Sequence, residues 1–197
     1  MKKWFFPALI SGVILSACGT AKNAYLFTGF HEPADAGLRL LYSYDGYNWT
    51  DLDTIFLRPS VGVQQLMRDP SVIQGPDGTY HLVWTPSWKN DHSFGYASSK
   101  DLIHWSEQKA IPIMEKEKDV RNVWAPELFY DAETGNYIII FASTIPSRFP
   151  IREGEQNANR MYYTLTKDFV TFSDPQLLTD PDYNSIDAVI VKRAADD

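Results

Sequence analysis

The stretch YASSKDLIHW, residues 96–105, decides the fold because the chain carries its pattern three times. Each copy runs from an aromatic residue through small or polar residues and an acidic turn to a second aromatic residue. The two other copies are YSYDGYNW (42–49) and YTLTKDFVTF (163–172). The closing aromatics are Trp49, Trp105 and Phe172. Their spacing corresponds to a period of about 60 residues, which indicates repeated copies of one supersecondary unit.

The segments around these copies are typical of short β-strands. Runs of alternating or continuous apolar residues are bounded by turn residues, and no stretch holds a helical period for long. GPDG (75–78) is predicted to turn between the strands PSVI and TYHLVW, and AETGN (132–136) between ELFY and YIIIFAS. Gly78 and Gly135 supply the positive φ that such turns commonly require. The chain is therefore predicted to be all-β.

Three strand openings, RDPSV, WAPEL and SIDAV, recur with a similar period. They are marked by Asp69, Ala125 and Asp187, which again follow one another at intervals of about 60 residues. Such a period with roughly four strands per unit is typical of a β-propeller, in which the first strand of every blade lines the central axis. The openings are therefore predicted to bring Asp69, Glu127 and Asp187 to one cavity. An all-β sandwich with coincidental spacing is the alternative.

The two ends of the chain are expected to leave the propeller incomplete. AYLFTGF (24–30), LRLLYS (38–43) and NWTDL (48–52) look like three strands without an inner strand before them. Such a terminal blade is often completed by a strand from the other chain end, which removes an exposed edge. The sequence stops at VKRAADD, soon after the third inner strand, which is expected to begin near Ile186. We therefore expect about three blades and an open ring.

The N-terminal segment, residues 1–17, is predicted to be a bacterial secretory signal. Lys2 and Lys3 form a basic region, an apolar stretch covers residues 4–15, and LSAC (15–18) follows. This ending is similar to the lipobox of bacterial lipoproteins, in which the cysteine is lipidated and becomes the mature N-terminus. An ordinary signal peptide or a short anchor is the alternative, although the apolar stretch is shorter than the roughly 20 residues of a spanning helix.

The predicted organisation follows from that signal. Residues 1–17 are the signal peptide, residues 18–23 are a lipidated linker, and residues 24–197 are a partial propeller domain. We expect Cys18 to hold the protein to the bacterial cell envelope, with the domain facing the periplasm or the cell surface.

Composition excludes several classes of protein. Cys18 is the only cysteine, so the rest of the chain has no disulfide, no thiolate nucleophile and no cysteine-based metal site. Removing Lys2 and Lys3 takes the formal net charge from −7 to −9 (−7 − 2), which argues against a nucleic-acid partner. Aromatic residues make up 14% of the chain, and this favours a partner with flat apolar faces, such as a sugar ring. The four histidines lack metal-ligand spacing, and no esterase, metalloprotease or nucleotide-binding motif occurs.

The three openings resemble those of the family-43 glycoside hydrolases, which include arabinanases, α-L-arabinofuranosidases and β-xylosidases on a five-bladed β-propeller. Asp69 in RDPSV matches the family's general base, and WAP (124–126) matches the motif of the next blade. Asp187 in IDAVI matches the aspartate that raises the pKa of the general acid and orients it. The resemblance covers residues 24–191 and implies an all-β, five-bladed propeller that is truncated here to about three blades.

One part of the family pattern is absent. The general acid of the family is a glutamate in an EGP-like segment, which has no counterpart in this sequence. The repeat puts it about 60 residues past Asp187. We therefore expect residues 18–197 by themselves to be inactive.

The chemistry of glycoside cleavage with inversion agrees with these assignments. One carboxylate activates water and one carboxylic acid protonates the leaving oxygen, with about 6.5–9.5 Å between them. A third carboxylate near the acid raises the acid's pKa by like-charge repulsion. No metal or cofactor is required, and the expected partner is an arabinose- or xylose-containing saccharide.

Each candidate residue has a second interpretation. Asp69, which precedes a proline, could open a turn, and Asp187 could belong to a buried ion pair, because an unpaired carboxylate in an apolar strand is costly. Glu127 occupies the variable position of the family motif, which favours a substrate contact over a rim residue or an unusual acid. Trp124 is either a core residue or a platform for a sugar ring. Trp88, in PSWKND, is expected at the rim as a further substrate contact.

Two other functions fit the same fold. β-Fructosidases also carry an RDP motif on a five-bladed propeller, but nothing similar to their WMNDPNG motif precedes Arg68. A lipoprotein that binds sugar without cleaving it would keep the propeller and lack the acid. Glycoside hydrolysis is the function that the motifs predict.

Overall fold

The structure, a computed structural model, describes residues 23–193, which fold into antiparallel β-sheets joined by turns and loops. Within this range the chain forms no helix, and thus none that is long and apolar enough to cross a membrane. Three sheets follow one another along the chain, each with its strands paired in chain order, as in the blades of a propeller. The predicted all-β propeller architecture is confirmed.

The sheets differ in size. The first contains β1 (Tyr25–Gly29), β2 (Arg39–Ser43) and β3 (Thr50–Asp51). The second contains β4 (Arg68–Gln74), β5 (Tyr80–Thr85), β6 (Phe94–Ser99) and β7 (Lys109–Ile111). The third contains β8 (Trp124–Asp131), β9 (Asn136–Thr144), β10 (Asn159–Thr166) and β11 (Gln176–Thr179).

The repeated sequence stretch folds into the same turn in all three sheets. A carboxylate in each copy accepts hydrogen bonds from the backbone N–H groups two and three residues further on, and these carboxylates belong to Asp45, Asp101 and Asp168. Two residues before each aspartate, a hydroxyl accepts from the N–H of that aspartate and of the residue after it, through Ser43, Ser99 and Thr166. Hydrogen bonds hold the pKa of all three carboxyl groups below the ordinary value of an aspartate. For Asp101 the largest contribution comes from the side chain of His104.

The two glycine turns lie where the sequence predicts them. GPDG (75–78) joins β4 to β5, and Gly78 has a φ of 77°. AETGN (132–136) joins β8 to β9, and Gly135 has a φ of 69°. Both angles lie in the left-handed region, which glycine adopts without a steric penalty.

The core lies between neighbouring sheets. Buried side chains of the first and second sheets meet around Trp84, whose ring lies so close to Gly95 that a Cβ there would be 2.1 Å away. A larger cluster joins the second and third sheets and includes Val83, Phe94, Ile139, Phe141 and Phe169. Burial of each large apolar side chain contributes about 1.5–3 kcal/mol. This packing places β4 against β8, so that the first strands of two blades lie side by side.

The first strands of the second and third sheets begin with the same irregularity. The β4–β5 and β8–β9 ladders both shift register near their start, between Arg68 and Ser71 and between Trp124 and Glu127. Within these bulges Asp69 has a φ of 48° and Ala125 a φ of 45°. Asp187, at the corresponding place in the third opening, has a φ of 59°. The three repeat positions therefore share a left-handed backbone, which costs a non-glycine residue about 1–2 kcal/mol.

The prediction of a third inner strand near Ile186 is wrong. Residues 185–191 form no strand, so Asp187 does not lie inside one. A strand requires a hydrogen-bonded neighbour, and within residues 23–193 no strand pairs along this segment.

The sequence also predicts that the first sheet receives its inner strand from the C-terminal end of the chain, and the structure differs from this expectation. β1 pairs with β2 on one side, while residues 26–30 line a cavity between the three sheets. β1 itself therefore occupies the inner position among the described residues.

Candidate active site

One cavity of about 600 Å³, which we name the axial cavity, lies where the first strands of the three sheets approach one another. Its walls are residues 26–30 with β1, the start of β4, the start of β8, and residues 187–189. Three carboxylates line it, and they belong to Asp69, Glu127 and Asp187. The structure thus brings together the three acidic residues that the repeat spacing placed at the strand openings.

Asp69 lies in the bulge of β4 and is half-buried. The Thr85 hydroxyl donates a hydrogen bond to Asp69 Oδ2 over 3.0 Å. Burial raises the pKa of Asp69, while the Thr85 bond and the positive charge of Arg68 oppose this, and the negative charges of Asp187 and Glu32 add to it. The electrostatic effect of Asp187 on Asp69 agrees with their position in one cavity.

Thr85 connects two strand openings through a single hydroxyl. Its side chain is buried at the end of β5, donates to Asp69, and accepts a hydrogen bond from the Ala125 N–H over 2.8 Å. The left-handed residues of two neighbouring blades are therefore held by one atom. Sequence reasoning missed Thr85 because a threonine at a strand end carries no motif, and only its pairing opposite Arg68 reveals it.

Glu127 occupies the second acidic position on the cavity wall. Burial raises the pKa of its carboxyl group, and a hydrogen bond from the Ser71 hydroxyl opposes that effect. The same Ser71 oxygen accepts the Leu128 N–H over 3.2 Å, which links β4 to β8. Glu127 is thus fixed within the cavity and does not lie at the outer rim.

Asp187 is held by the chain just before it. The Ser185 N–H donates to the Asn159 carbonyl over 3.1 Å. The Asn184 side-chain oxygen accepts from the Asn159 N–H over 2.8 Å and from its amide over 3.1 Å. These bonds tie the third opening to β10, so Asp187 reaches the cavity although it belongs to no strand.

Arg68 and two tryptophans flank the cavity. The Arg68 guanidinium lies 3.7 Å from the centre of the Trp88 ring and forms an ion pair with Glu32. Trp88 is 42% exposed, as expected for a rim residue. Trp124 meets Trp88 edge to face with ring centres 5.6 Å apart, and its indole N–H donates to the Trp88 carbonyl over 2.9 Å. Trp124 is half-buried and lines a second cavity beside the first.

Cys18 and the signal segment lie outside the described residues. Among residues 23–193, no group of three or more histidine, cysteine, aspartate and glutamate side chains is arranged to hold a metal ion.

The fold is that of a β-propeller with an acidic cavity between its blades, and comparison with known proteins identifies the family. Residues 21–197 match the model of a family described as a probable glycosyl hydrolase domain and related to glycoside hydrolase family 43. The chain belongs to this family. Its resemblance to the family-43 glycoside hydrolases is therefore confirmed.

Individual relatives extend this comparison. The chain is similar to an α-L-arabinofuranosidase of Bifidobacterium longum subsp. longum, with 26% identity over 64% of this chain and 14% of that protein. It is also similar to a thermostable family-43 glycoside hydrolase, with 17% identity, a TM-score of 0.57, and coverage of 82% of this chain and 51% of that chain.

A second solved structure gives the same result. An endo-arabinase from Bacteroides thetaiotaomicron has 19% identity and a TM-score of 0.58, and the match covers 79% of this chain and 51% of that chain. At such identities the structural matches show the fold alone. The chain spans only 14% of the length of the curated relative and 51% of each of these two structures.

Proposed function

We propose that this domain belongs to an inverting glycoside hydrolase of arabinose- or xylose-containing saccharides and supplies its general base. The observation that carries the proposal is the meeting of Asp69, Glu127 and Asp187 in one cavity. A cavity of about 600 Å³ lies within the range of small-molecule sites.

Asp69 is the proposed general base. Its Oδ2 is engaged by Thr85, and within residues 23–193 Oδ1 has no hydrogen-bond partner, so that oxygen is free to accept a proton from water. A carboxylate whose pKa is raised by burial is a stronger base than one in water.

Asp187 is the proposed modulator of the general acid. Its negative charge in the cavity would disfavour ionisation of a neighbouring carboxylic acid and keep that acid protonated near neutral pH. The acid itself is expected about one repeat beyond Asp187. Glu127, with a raised pKa and a position on the wall, is proposed to bind a substrate hydroxyl.

The substrate class rests on two kinds of support. The relatives named above include an α-L-arabinofuranosidase and an endo-arabinase. Trp88 and Trp124 present aromatic surface beside the cavity, on which the apolar face of a sugar ring can stack. Xylose-containing substrates remain part of the proposal because pentoses of both kinds fit this chemistry.

We also propose that the protein is a lipoprotein of the bacterial cell envelope, anchored through Cys18. Mass spectrometry of the mature N-terminus should find a lipidated Cys18. A free N-terminus at another residue would contradict the anchor and leave the enzymatic proposal untouched.

The enzymatic proposal is tested with the complete protein, including any residues that follow Asp197, on aryl α-L-arabinofuranosides, aryl β-xylosides, arabinan and xylan. Proton NMR of the first product should show inverted anomeric configuration. The Asp69→Asn variant should be inactive even on activated aryl glycosides, because water still lacks its base. Saccharide binding without turnover by the wild type would instead support the sugar-binding alternative.

A further inference from the structure

A second cavity of about 710 Å³ lies next to the first, and we name it the rim cleft. It runs between the loop after β5, the segment before β8 and the loop between β9 and β10. Its lining residues are Gln64, Trp88, Lys89, Asn90, Arg121, Asn122, Trp124, Gln156 and Asn157. Trp124 lines the rim cleft and the next residue, Ala125, lines the axial cavity, so the two cavities adjoin at the start of β8.

The charge of the rim cleft is opposite to that of the protein. Among the described residues no carboxylate lines it, but Lys89 and Arg121 do, whereas the chain without its signal carries −9 (−7 − 2). Within residues 23–193 neither cation forms an ion pair. Both are exposed, and an exposed cation without a partner inside a cleft is available to an anionic ligand.

Two acidic side chains, each two residues from one of the cations in sequence, already accept hydrogen bonds from serine hydroxyls. Asp119 interacts electrostatically with Arg121, but its oxygens accept hydrogen bonds from the Ser147 N–H (2.7 Å) and hydroxyl (2.8 Å). Asp91, in the loop after β5, accepts from the hydroxyls of Ser87 and Ser93. Neither carboxylate neutralises the cleft.

The loops that carry the two cations are tied together. The Asn90 N–H donates to the Arg121 carbonyl over 2.8 Å, and the Arg121 N–H donates to the Thr144 carbonyl over 3.0 Å. The buried Asn122 amide donates to Asn159 over 2.9 Å, which anchors the segment to the third sheet. Lys89 and Arg121 therefore project from backbone that is fixed before a ligand arrives, which reduces the entropic cost of binding.

The remaining lining groups suit a saccharide. Trp88 and Trp124 form an aromatic wall, and Trp88 is exposed although the Arg68 guanidinium covers one face of its ring. The Gln64 side-chain oxygen accepts a hydrogen bond from the backbone N–H of Trp88 over 2.6 Å. This bond orients the Gln64 amide and leaves its NH₂ group free to donate. Further amides from Asn90, Gln156 and Asn157 can bond sugar hydroxyls.

We propose that the rim cleft binds a uronic acid residue of a branched substrate, with the sugar carboxylate between Lys89 and Arg121 and the ring against the Trp88–Trp124 wall. This inference rests on the proposed function, because it takes the ligand to be a saccharide, and it narrows the substrate class to acidic pentose-containing polysaccharides. Neutral arabinan and xylan would leave both cations without a counter-ion.

The test measures binding to the full-length Asp69→Asn protein, in which the ligand is not consumed. The probes are a xylo-oligosaccharide bearing one glucuronate, an arabino-oligosaccharide bearing one galacturonate, and the carboxyl-reduced form of each. Calorimetry should show at least one acidic probe binding about tenfold more tightly than its reduced form, since charged hydrogen bonds are the stronger ones. The advantage should shrink at high salt. The probe with the larger advantage identifies the source of the uronate.

Two variants complete the test, one of them a matched control. The Lys89→Met/Arg121→Met double variant should bind acidic and reduced probes equally and keep the affinity of the reduced probe. Lys109→Met, which removes another exposed lysine on the edge strand β7, should keep the preference. Equal binding of acidic and reduced probes by the parent protein, or an unchanged preference in the double variant, would overturn the inference.

The two proposals fail separately. Turnover of neutral pentosides without a preference for acidic probes would remove the rim-cleft inference and leave the hydrolase. A preference for acidic probes without turnover of any glycoside by the wild type would retain the rim cleft and remove the hydrolase.

Discussion

At the scale of single residues, Thr85 determines the environment of Asp69. Its hydroxyl donates to Asp69 Oδ2 and accepts the Ala125 N–H, so one atom holds the proposed base in position and opposes the rise in its pKa that burial causes. A hydrogen bond donated to a carboxylate stabilises the charged form and lowers the pKa. Thr85 is therefore a positioning residue that also tunes a pKa.

Thr85→Val is predicted to raise the pKa of Asp69 further, because valine has the shape of threonine but donates nothing. The acidic limb of the kcat/KM profile should move to higher pH. The unpaired Ala125 N–H should also lower the free energy of unfolding by about 1–3 kcal/mol. Thr85→Ser keeps the hydroxyl and should keep the wild-type limb. An unmoved limb in the valine variant would show that the bond has no electrostatic role.

Asp69 itself is predicted to reduce stability at neutral pH. Burial raises the pKa of Asp69 in the folded chain above its value of about 3.9 in the unfolded chain. The free energy of unfolding therefore falls as the pH rises from the unfolded pKa through the folded pKa. Asp69→Asn should therefore raise the Tm at pH 7, and the gain should vanish near pH 3, where both states are protonated. Thermal unfolding at the two pH values measures this. A gain of equal size at both would assign the effect to packing.

At the scale of elements, His81 of β5 joins the second blade to the third. Its ring stacks on Phe169 with centres 4.1 Å apart and meets Tyr137 at 4.9 Å, while Nδ1 lies 3.0 Å from the Tyr96 hydroxyl. Burial lowers the pKa of His81. The negative charge of Asp77 opposes this effect, and the positive charge of Lys100 adds to it. The surroundings of His81 between these two blades therefore favour the neutral imidazole.

The free energy of unfolding is predicted to fall as the pH drops below about 6.5. The pKa of His81 is lower in the folded chain than in the unfolded chain, so the unfolded chain binds more protons in that range. Urea unfolding from pH 8 to pH 5 measures the slope. His81→Phe keeps the stack and should flatten the slope relative to the wild type. An unchanged slope in His81→Phe would refute the assignment.

The turns and the repeat could be predicted from the sequence because local chemistry specifies them. Gly78 and Gly135 mark positive φ, and the side-chain caps at Asp45, Asp101 and Asp168 recur with the same period. These structures depend on residues that are close neighbours in the chain, so the amino-acid types alone identify them.

The cavity could be predicted only in part. Repeat spacing brought Asp69, Glu127 and Asp187 together, but it did not identify Thr85, which acts through a pairing with residues 16 and 40 positions away. It also assigned a strand around Asp187, because an apolar run matches a strand whether or not a neighbour pairs with it. Contacts distant in sequence leave no local pattern.

At the scale of the whole molecule, apolar side chains near the axial cavity are open to water. Phe27 is 56% exposed, Val189 65% and Val191 74%. Clustered exposed apolar residues and an unpaired strand edge favour association. These surfaces are the places where further blades of a propeller would pack.

Residues 18–197 produced alone are predicted to bind a hydrophobic dye, to associate with rising concentration, and to lack turnover of pentosides. A general acid typically contributes about 10²–10⁴-fold in rate. Extension by about 120 residues, two further repeats, should suppress dye binding and confer activity. Sedimentation measures the association, dye fluorescence measures the exposed apolar surface, and glycosidase assays measure the turnover.

Robust turnover by residues 18–197 would contradict the predicted inactivity. Glu127 would then be the first candidate for the general acid, and the Glu127→Gln variant would test it.

The left-handed position that opens the second and third blades, and recurs at Asp187, has an evolutionary consequence. Asp69, Ala125 and Asp187 occupy equivalent places on the cavity wall, and two of them are aspartate, a type that tolerates this backbone conformation. A single nucleotide change can convert alanine to aspartate. Because the backbone at these positions already accommodates either residue, mutation can add an acidic group at Ala125, or remove one at Asp69 or Asp187, without rebuilding the backbone. Repeated blades of this kind can therefore acquire new chemistry, or lose the old, without a change of fold.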